Sequence, residues 1–124
     1  MVVGLGVDLV ETSRVAGVLE RWGDRFLAKV MEPAESLRLP AGPDRVRAVA
    51  LAIAGKEAAS KALGTGWSRG VRWRDVVVDL AGAPAVHLHG QAAVVARRLG
   101  SSGRTRTFLE ILGELAVGEV WLLT

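Results

Sequence analysis

The chain has 124 residues, half of them apolar, and no cysteine; this excludes disulfides and thiolate metal centres and leads us to expect a reducing, cytoplasmic setting. Its 16 basic and 13 acidic residues give a net charge of +3 and a pI near 10.2, which favours anionic partners; without a dense basic stripe interleaved with aromatics, nucleic acid is not expected. The longest apolar run, Ala48 to Gly55, falls far short of the roughly 18 residues a membrane helix needs, so we expect no membrane association, no signal peptide and one domain over residues 1–124 with a real core.

The alternation of side chains predicts a strand over Val2 to Val10. Val3, Leu5, Val7 and Leu9 share one face, leaving Gly4, Gly6 and Asp8 with Val2 and Val10 on the other. Two glycines on the face of an aspartate clear the space beside it, as expected where a ligand or another backbone comes close. The plainer reading is a strand-capping or core-bonded aspartate. Thr12 or Ser13 is expected to cap a helix to about Trp22, with Val15, Val18, Leu19 and Trp22 as its apolar stripe. Arg14, Arg21 and Arg25 fall outside that stripe, and a helix continued this far would carry all three along one side. A solvated basic face is the simpler account of them. Glu32-Pro33 can open a short helix through Leu39, with a loop from Pro40 to Pro43.

A long helix is predicted from about Asp44 to Leu63, stopped by Gly64. At its C-terminal end Glu57 and Lys61 stand at i,i+4 with Ser60 beside them, just before the flexible Gly64-Thr65-Gly66 loop. An exposed ion pair followed by a glycine cap is the alternative with no chemistry in it. Gly55 within this helix costs roughly 1 kcal/mol relative to a helix former. Trp67 to Trp73 reads as a loop, Asp75 to Leu80 as a strand, Gly82-Ala83-Pro84 as a turn and Ala85 to Leu88 as the partner strand. His87 and His89 share a face there, but no third ligand is placed near them, so exposed strand histidines are favoured over zinc. Gln91 to Leu99 is expected to be a helix ended by Gly100, and Thr105 to Leu112 with Leu115 to Leu123 a hairpin turning at Gly113-Glu114. Helices mixed with short, partly antiparallel strands make an α+β domain.

Two segments taken together are more specific. Gly4-Leu-Gly-Val-Asp8-Leu-Val-Glu11, followed by Arg14, resembles the N-terminal motif of the holo-acyl-carrier-protein synthases, the small 4′-phosphopantetheinyl transferases. Lys56-Glu57-Ala-Ala-Ser-Lys61-Ala-Leu-Gly64-Thr-Gly66 is similar to the second motif of that family, and Gly82-Ala-Pro84 falls at its glycine-x-proline turn. The resemblance implies a single-domain transferase-like fold, with a long central helix packed on the sheet. It also implies an enzyme that moves the 4′-phosphopantetheine arm of coenzyme A onto a serine of an acyl or peptidyl carrier protein, releasing adenosine 3′,5′-bisphosphate. In that scheme Asp8 and Glu57 hold one Mg²⁺, a hard ion suited to carboxylate and phosphate oxygens. A metal-bound water or Glu57 takes the serine proton, and Lys61 sits on the phosphates or the leaving oxygen. Gly64, Gly66 and Pro84, with Lys61, are the expected coenzyme A contacts, and Arg14, Arg21 and Arg25 the expected carrier-protein contacts. Homotrimers with active sites at subunit boundaries are expected from the same resemblance.

The chain also departs from the family pattern. Ala52-Ile53-Ala54-Gly55 stands where the family reads arginine-phenylalanine-alanine-alanine, and Phe108-Leu109-Glu110-Ile111 stands where it has serine-x-serine-histidine. The arginine and histidine that help bind the 3′-phosphate end of coenzyme A are therefore replaced by Ala52 and Ile111, with Arg69, Arg72, Arg74, Arg104 and Arg106 as candidate substitutes. A working, divergent transferase and a non-catalytic carrier-protein-binding or assembly module are the two readings this leaves, with a Mg²⁺-dependent pyrophosphate hydrolase a weaker third.

Overall fold

The computed structural model describes residues 1–124. In chain order the elements are β1 (Val2–Glu11), α1 (Thr12–Trp22), α2 (Asp24–Val30), α3 (Pro33–Leu37), α4 (Pro43–Ala62), a 3₁₀ turn (Trp73–Asp75), β2 (Val76–Asp79), β3 (Ala85–Leu88), α5 (Gly90–Arg98), β4 (Thr105–Leu112) and β5 (Leu115–Leu123). One sheet has the order β1-β5-β4 and a second holds β2 and β3, every pairing being antiparallel. The α+β class is as expected, and the predicted hairpin matches β4 and β5 residue for residue.

The differences have local causes. Gly23, at φ 50°, ends α1, and a separate helix α2 begins at Asp24, so Arg25 does not continue the helix that carries Arg14 and Arg21. Thr12 does not cap α1. Its backbone N–H and its hydroxyl both donate to the carbonyl of Glu114, at 2.9 and 3.1 Å, tying the start of α1 to the β4–β5 turn instead. The expected strand from Asp75 begins one residue later because Trp73–Asp75 closes a 3₁₀ turn, in which Asp75 accepts from the Arg72 backbone at 3.0 Å. His87 lies on β3, whereas His89 has left the strand to become the N-cap of α5, so the two do not share a strand face.

Helix α4 is apolar nearly all round because it is packed on both sides. Val49, Ala50, Ala52, Ala54, Ala58, Ala59 and Ala62 are buried. Its sheet-facing stripe, Ala54, Ala58 and Ala62 at i, i+4 and i+8, meets three glycines. A Cβ on Gly118, Gly6 or Gly4 would stand 2.5, 1.9 or 2.2 Å from the carbonyl oxygen of Ala54, Ala58 or Ala62 respectively. The glycines of β1 thus admit another backbone, which resolves the choice left open by the sequence. Gly55 also has a use: a Cβ there would press on Val78 and Leu109 at 3.2 to 3.4 Å.

Because the glycine face is the inner face, the aliphatic face of β1 points outward. Leu5, Val7 and Leu9 are 52%, 49% and 59% exposed, and Phe108 and Leu112 of β4 join them on the outer side.

On the opposite side of α4, Lys56 is completely buried. Its ammonium donates to Glu35 Oε1 at 3.0 Å, to the Trp73 carbonyl at 3.2 Å and to the Val76 carbonyl. Glu35 in turn accepts from the backbones of Glu32 at 2.9 Å and Val78 at 3.0 Å. Burial pushes the Lys56 ammonium below its ordinary pKa, against the charge and hydrogen bond of Glu35 and the charge of Glu32. With every donor and acceptor matched, this pair clips α3, the 3₁₀ turn and β2 to α4; losing one partner of such a pair costs about 3–5 kcal/mol.

Gly6→Ala should lower the unfolding free energy measured in urea by about 3 kcal/mol or more, since neither backbone can retreat without moving α4. Gly17→Ala, in α1 with open space around it, should raise it by roughly 0.5–1 kcal/mol. Equal effects at the two positions would remove the close approach of α4 as the reason for Gly6.

Candidate active site

Asp8 follows Gly4 and Gly6 on the inner face of β1 and pairs across the sheet with Gly118, the glycine under Ala54. The same contact that fixes α4 on the sheet therefore brings the last turns of α4 over Asp8. Lys61 Nζ lies 2.7 Å from Asp8 Oδ1 and 3.1 Å from the Val7 carbonyl. Lys61 is half exposed, with 52% of its side chain accessible against 18% for Asp8. A pair this open contributes about 0.2–1 kcal/mol to stability, so its ammonium is free to turn to a phosphate at little cost.

Glu57 lies one turn before Lys61 and is partly buried. Desolvation pushes its carboxyl above the usual carboxylate range; the Trp67 indole opposes the rise, the negative charge of Asp8 adds to it, and Lys61 again opposes it. Asp8 and Glu57 are thus a like-charged pair close enough to feel one another, with the Lys61 ammonium acting on both. No group of three or more His, Cys, Asp or Glu residues is placed to hold a metal ion. The donor set is two hard carboxylates, and an ion bound there must complete its shell with water and ligand oxygens. Mg²⁺ fits that description better than zinc or calcium.

The loop after α4 is shaped by Gly64 at φ 75° and Gly66 at φ 56°, both with open space where a Cβ would stand. Gly66 N–H donates to the Ser60 carbonyl at 3.1 Å, and the Ser60 hydroxyl donates to the Glu57 carbonyl at 2.7 Å. Ser60 is therefore a buried brace for the helix end. Trp67, next in the loop, was not among the expected site residues; its indole N–H is buried without a hydrogen-bond partner, and its side chain acts on the Glu57 carboxyl. Nothing in the spacing marks it, because the loop folds back on α4 only through tertiary contacts.

Other expected residues are placed elsewhere. Pro84 is partly buried in the turn between β2 and β3. Ala52 and Ile111 line one largely apolar cavity of about 570 Å³, together with Arg38, Arg47, His87, Asp44 and Asp79, whereas Asp8, Glu57 and Lys61 do not line it. Arg47 is drawn onto Asp44 at 3.3 Å. None of Arg69, Arg72, Arg74, Arg104 and Arg106 lines this cavity, and Arg72 and Arg74 are held by Asp75 at 3.4 Å and Glu32 at 3.2 Å. Arg14, Arg21 and Arg25 are exposed. The last two are gathered by Trp22, with their guanidinium carbons 5.4 and 5.9 Å from its ring centroid.

The sequence and the fold have known counterparts. The family model of the 4′-phosphopantetheinyl transferase superfamily matches residues 4–114. A holo-acyl-carrier-protein synthase of Solidesulfovibrio magneticus is 46% identical over 104 residues, covering 82% of this chain and 83% of the relative. Among solved structures, a holo-acyl-carrier-protein synthase from Neisseria meningitidis superposes with a TM-score of 0.86 at 25% identity over 100% of both chains. Another from Bacillus anthracis, in complex with CoA (3′,5′-ADP), does so with a TM-score of 0.78 at 28% identity over 98% of this chain and 96% of that one. The chain belongs to the 4′-phosphopantetheinyl transferase superfamily, in its holo-acyl-carrier-protein synthase family.

Proposed function

We propose that this protein transfers 4′-phosphopantetheine from coenzyme A to a serine of an acyl or peptidyl carrier protein, with Asp8 and Glu57 holding one Mg²⁺. The observation that carries the reading is the convergence of Asp8, Glu57 and Lys61 at the junction of β1 and α4, within a family named for this reaction. When bound, Mg²⁺ supplies charge neutralisation to the pyrophosphate. The serine oxygen forms a bond to the phosphorus that bears pantetheine, and the bond from that phosphorus to the oxygen of adenosine 3′,5′-bisphosphate breaks. Glu57 is our candidate for the acceptor of the serine proton, and Lys61 would turn from Asp8 to the departing phosphate. A non-catalytic module would leave two interacting carboxylates and an exposed ammonium unexplained.

The remaining parts of the reading follow from surfaces. No helix is long and apolar enough to cross a membrane, and a cytoplasmic enzyme fits the absence of cysteine. The outward Leu5, Val7, Leu9, Phe108 and Leu112 suit contact between copies. A homotrimer would join the carboxylate pair of one copy to the cavity of Ala52 and Ile111 in the next, which one chain alone keeps apart.

Mass spectrometry of a carrier protein incubated with this protein, coenzyme A and Mg²⁺ should show the phosphopantetheine adduct, formed by a species with the mass of three chains. Asp8→Ala and Glu57→Gln should each abolish it; near-normal transfer by either variant at limiting Mg²⁺ would remove the metal assignment, and full activity from a monomer would remove the shared site.

Arg14, Arg21 and Arg25 are proposed to meet the acidic helix of the carrier protein. Exposed charges act mainly on encounter and register, so Arg14→Glu should slow association and flatten its dependence on salt. Unchanged rate and salt slope would leave the basic surface merely solvated.

The cavity chemistry sets the third expectation, poor discrimination between coenzyme A and dephospho-coenzyme A. A hydrogen bond to a charged group contributes roughly 1.5–3 kcal/mol, so two lost ones remove on the order of 10² to 10⁴ in affinity. Arg47 is already engaged by Asp44, leaving Arg38 and His87 as the cavity's free cationic and titratable groups. Calorimetric titration of both nucleotides in Mg²⁺ should give similar, weak affinities; a strong preference for coenzyme A would overturn the expectation and point to a loop arginine, or to Arg38 or His87, as the replacement.

A further inference from the structure

Trp67 is held in place from two directions. Its ring stacks on Trp73 with centroids 4.0 Å apart and planes 19° from parallel. Trp73 is fixed in turn, since its carbonyl accepts from the buried Lys56 at 3.2 Å and its 3₁₀ turn is closed by Asp75. On the other side the loop is tied to the end of α4 by Gly66 N–H on the Ser60 carbonyl at 3.1 Å, and Thr65 Oγ1 donates to the Gly66 carbonyl at 2.9 Å. The indole so stacked carries its N–H turned away from solvent. That N–H is buried without a partner, and such a group is costly to leave unmade. The carboxyl on which the Trp67 side chain acts is that of Glu57, whose rise in pKa it opposes.

We propose that Trp67 is a positioning residue for the transfer reaction: its indole N–H donates to one Glu57 oxygen when that carboxylate turns toward Asp8 to share a divalent cation, leaving the other oxygen for the ion. The inference rests on the reading of Asp8 and Glu57 as the Mg²⁺ pair. A carboxylate on a helix end has a free terminal torsion, and a fixed donor on one oxygen selects which way the second points. The Trp67–Trp73 stack and the buried Lys56 thereby connect the core of the protein to the orientation of a single carboxylate.

Indole resonances of ¹⁵N-labelled protein give a direct test, because the chain has only four tryptophans. The Trp67 signal is assigned by Trp67→Phe, which keeps an aromatic ring on Trp73 and removes the donor; should that variant fail to fold, Trp22→Phe, Trp73→Phe and Trp121→Phe assign it by elimination. Addition of Mg²⁺ alone should move the Trp67 indole proton downfield, and Glu57→Gln should abolish the movement. Trp67→Phe should raise the half-saturating Mg²⁺ concentration about tenfold, the size of one hydrogen bond to a charged group. If the Asp8 and Glu57 amides respond to Mg²⁺ while the Trp67 indole does not, the positioning role is overturned and the metal pair stands. If neither responds, both fall.

Discussion

The close approach of α4 to the sheet is the constraint on which the rest of the structure depends. Gly4, Gly6 and Gly118 let the carbonyls of Ala62, Ala58 and Ala54 stand where side chains would otherwise be. At that distance the helix has no freedom to roll or slide, because interiors packed to this density do not deform gradually. Asp8, the next inward residue of β1 and the cross-strand partner of Gly118, is therefore set against Glu57 and Lys61 by backbone contact, not by the ion pair it makes with Lys61. The 2.7 Å contact is a consequence of the placement and contributes little to holding it.

The opposite side of α4 is fixed by different physics. Lys56 and Glu35 are buried and mutually satisfied, with backbone groups of Glu32, Trp73, Val76 and Val78 completing their hydrogen bonds. Such a pair is no better than well-packed apolar residues for stability, and its use is specificity of arrangement. Here it joins three segments distant in sequence, α3, α4 and the 3₁₀ turn that runs into β2, and anchors Trp73 of the tryptophan stack. Consecutive residues of α4, Lys56 and Glu57, thus point to opposite duties. One is locked in the core by its partners, and the other is only partly buried, with its carboxyl raised by desolvation.

The inward use of the glycine face has a cost on the outside. Strand β1 must turn its aliphatic residues to solvent, and β4 adds Phe108 and Leu112 to that surface. The cavity that contains Ala52 and Ile111 is not lined by the carboxylate pair. On the proposed reading, in which both serve one reaction, association of copies would cover the apolar outer face and complete the site together.

Much of this was legible in the sequence by itself. Period-2 alternation, the long apolar run of α4 and the glycine punctuation of the final hairpin determined the α+β class and most element boundaries, because local periodicity is set by which residues can share a face. The pairing of Asp8 with the Glu57–Lys61 turn was also legible, through two motifs whose residue types are needed together. What only the tertiary structure decided depends on contacts distant in sequence. The alternation in β1 identified its two faces without saying which was buried; the answer lay in a helix some fifty residues away. Helix α2 was hidden because Gly23 interrupts an otherwise continuous pattern, and with it the separation of Arg25 from Arg21, later closed by Trp22. Lys56 stood in the second motif with no role of its own, and Trp67 in a loop. Their roles rest on Glu35, Trp73 and the Val76 carbonyl, which the fold alone brings to them.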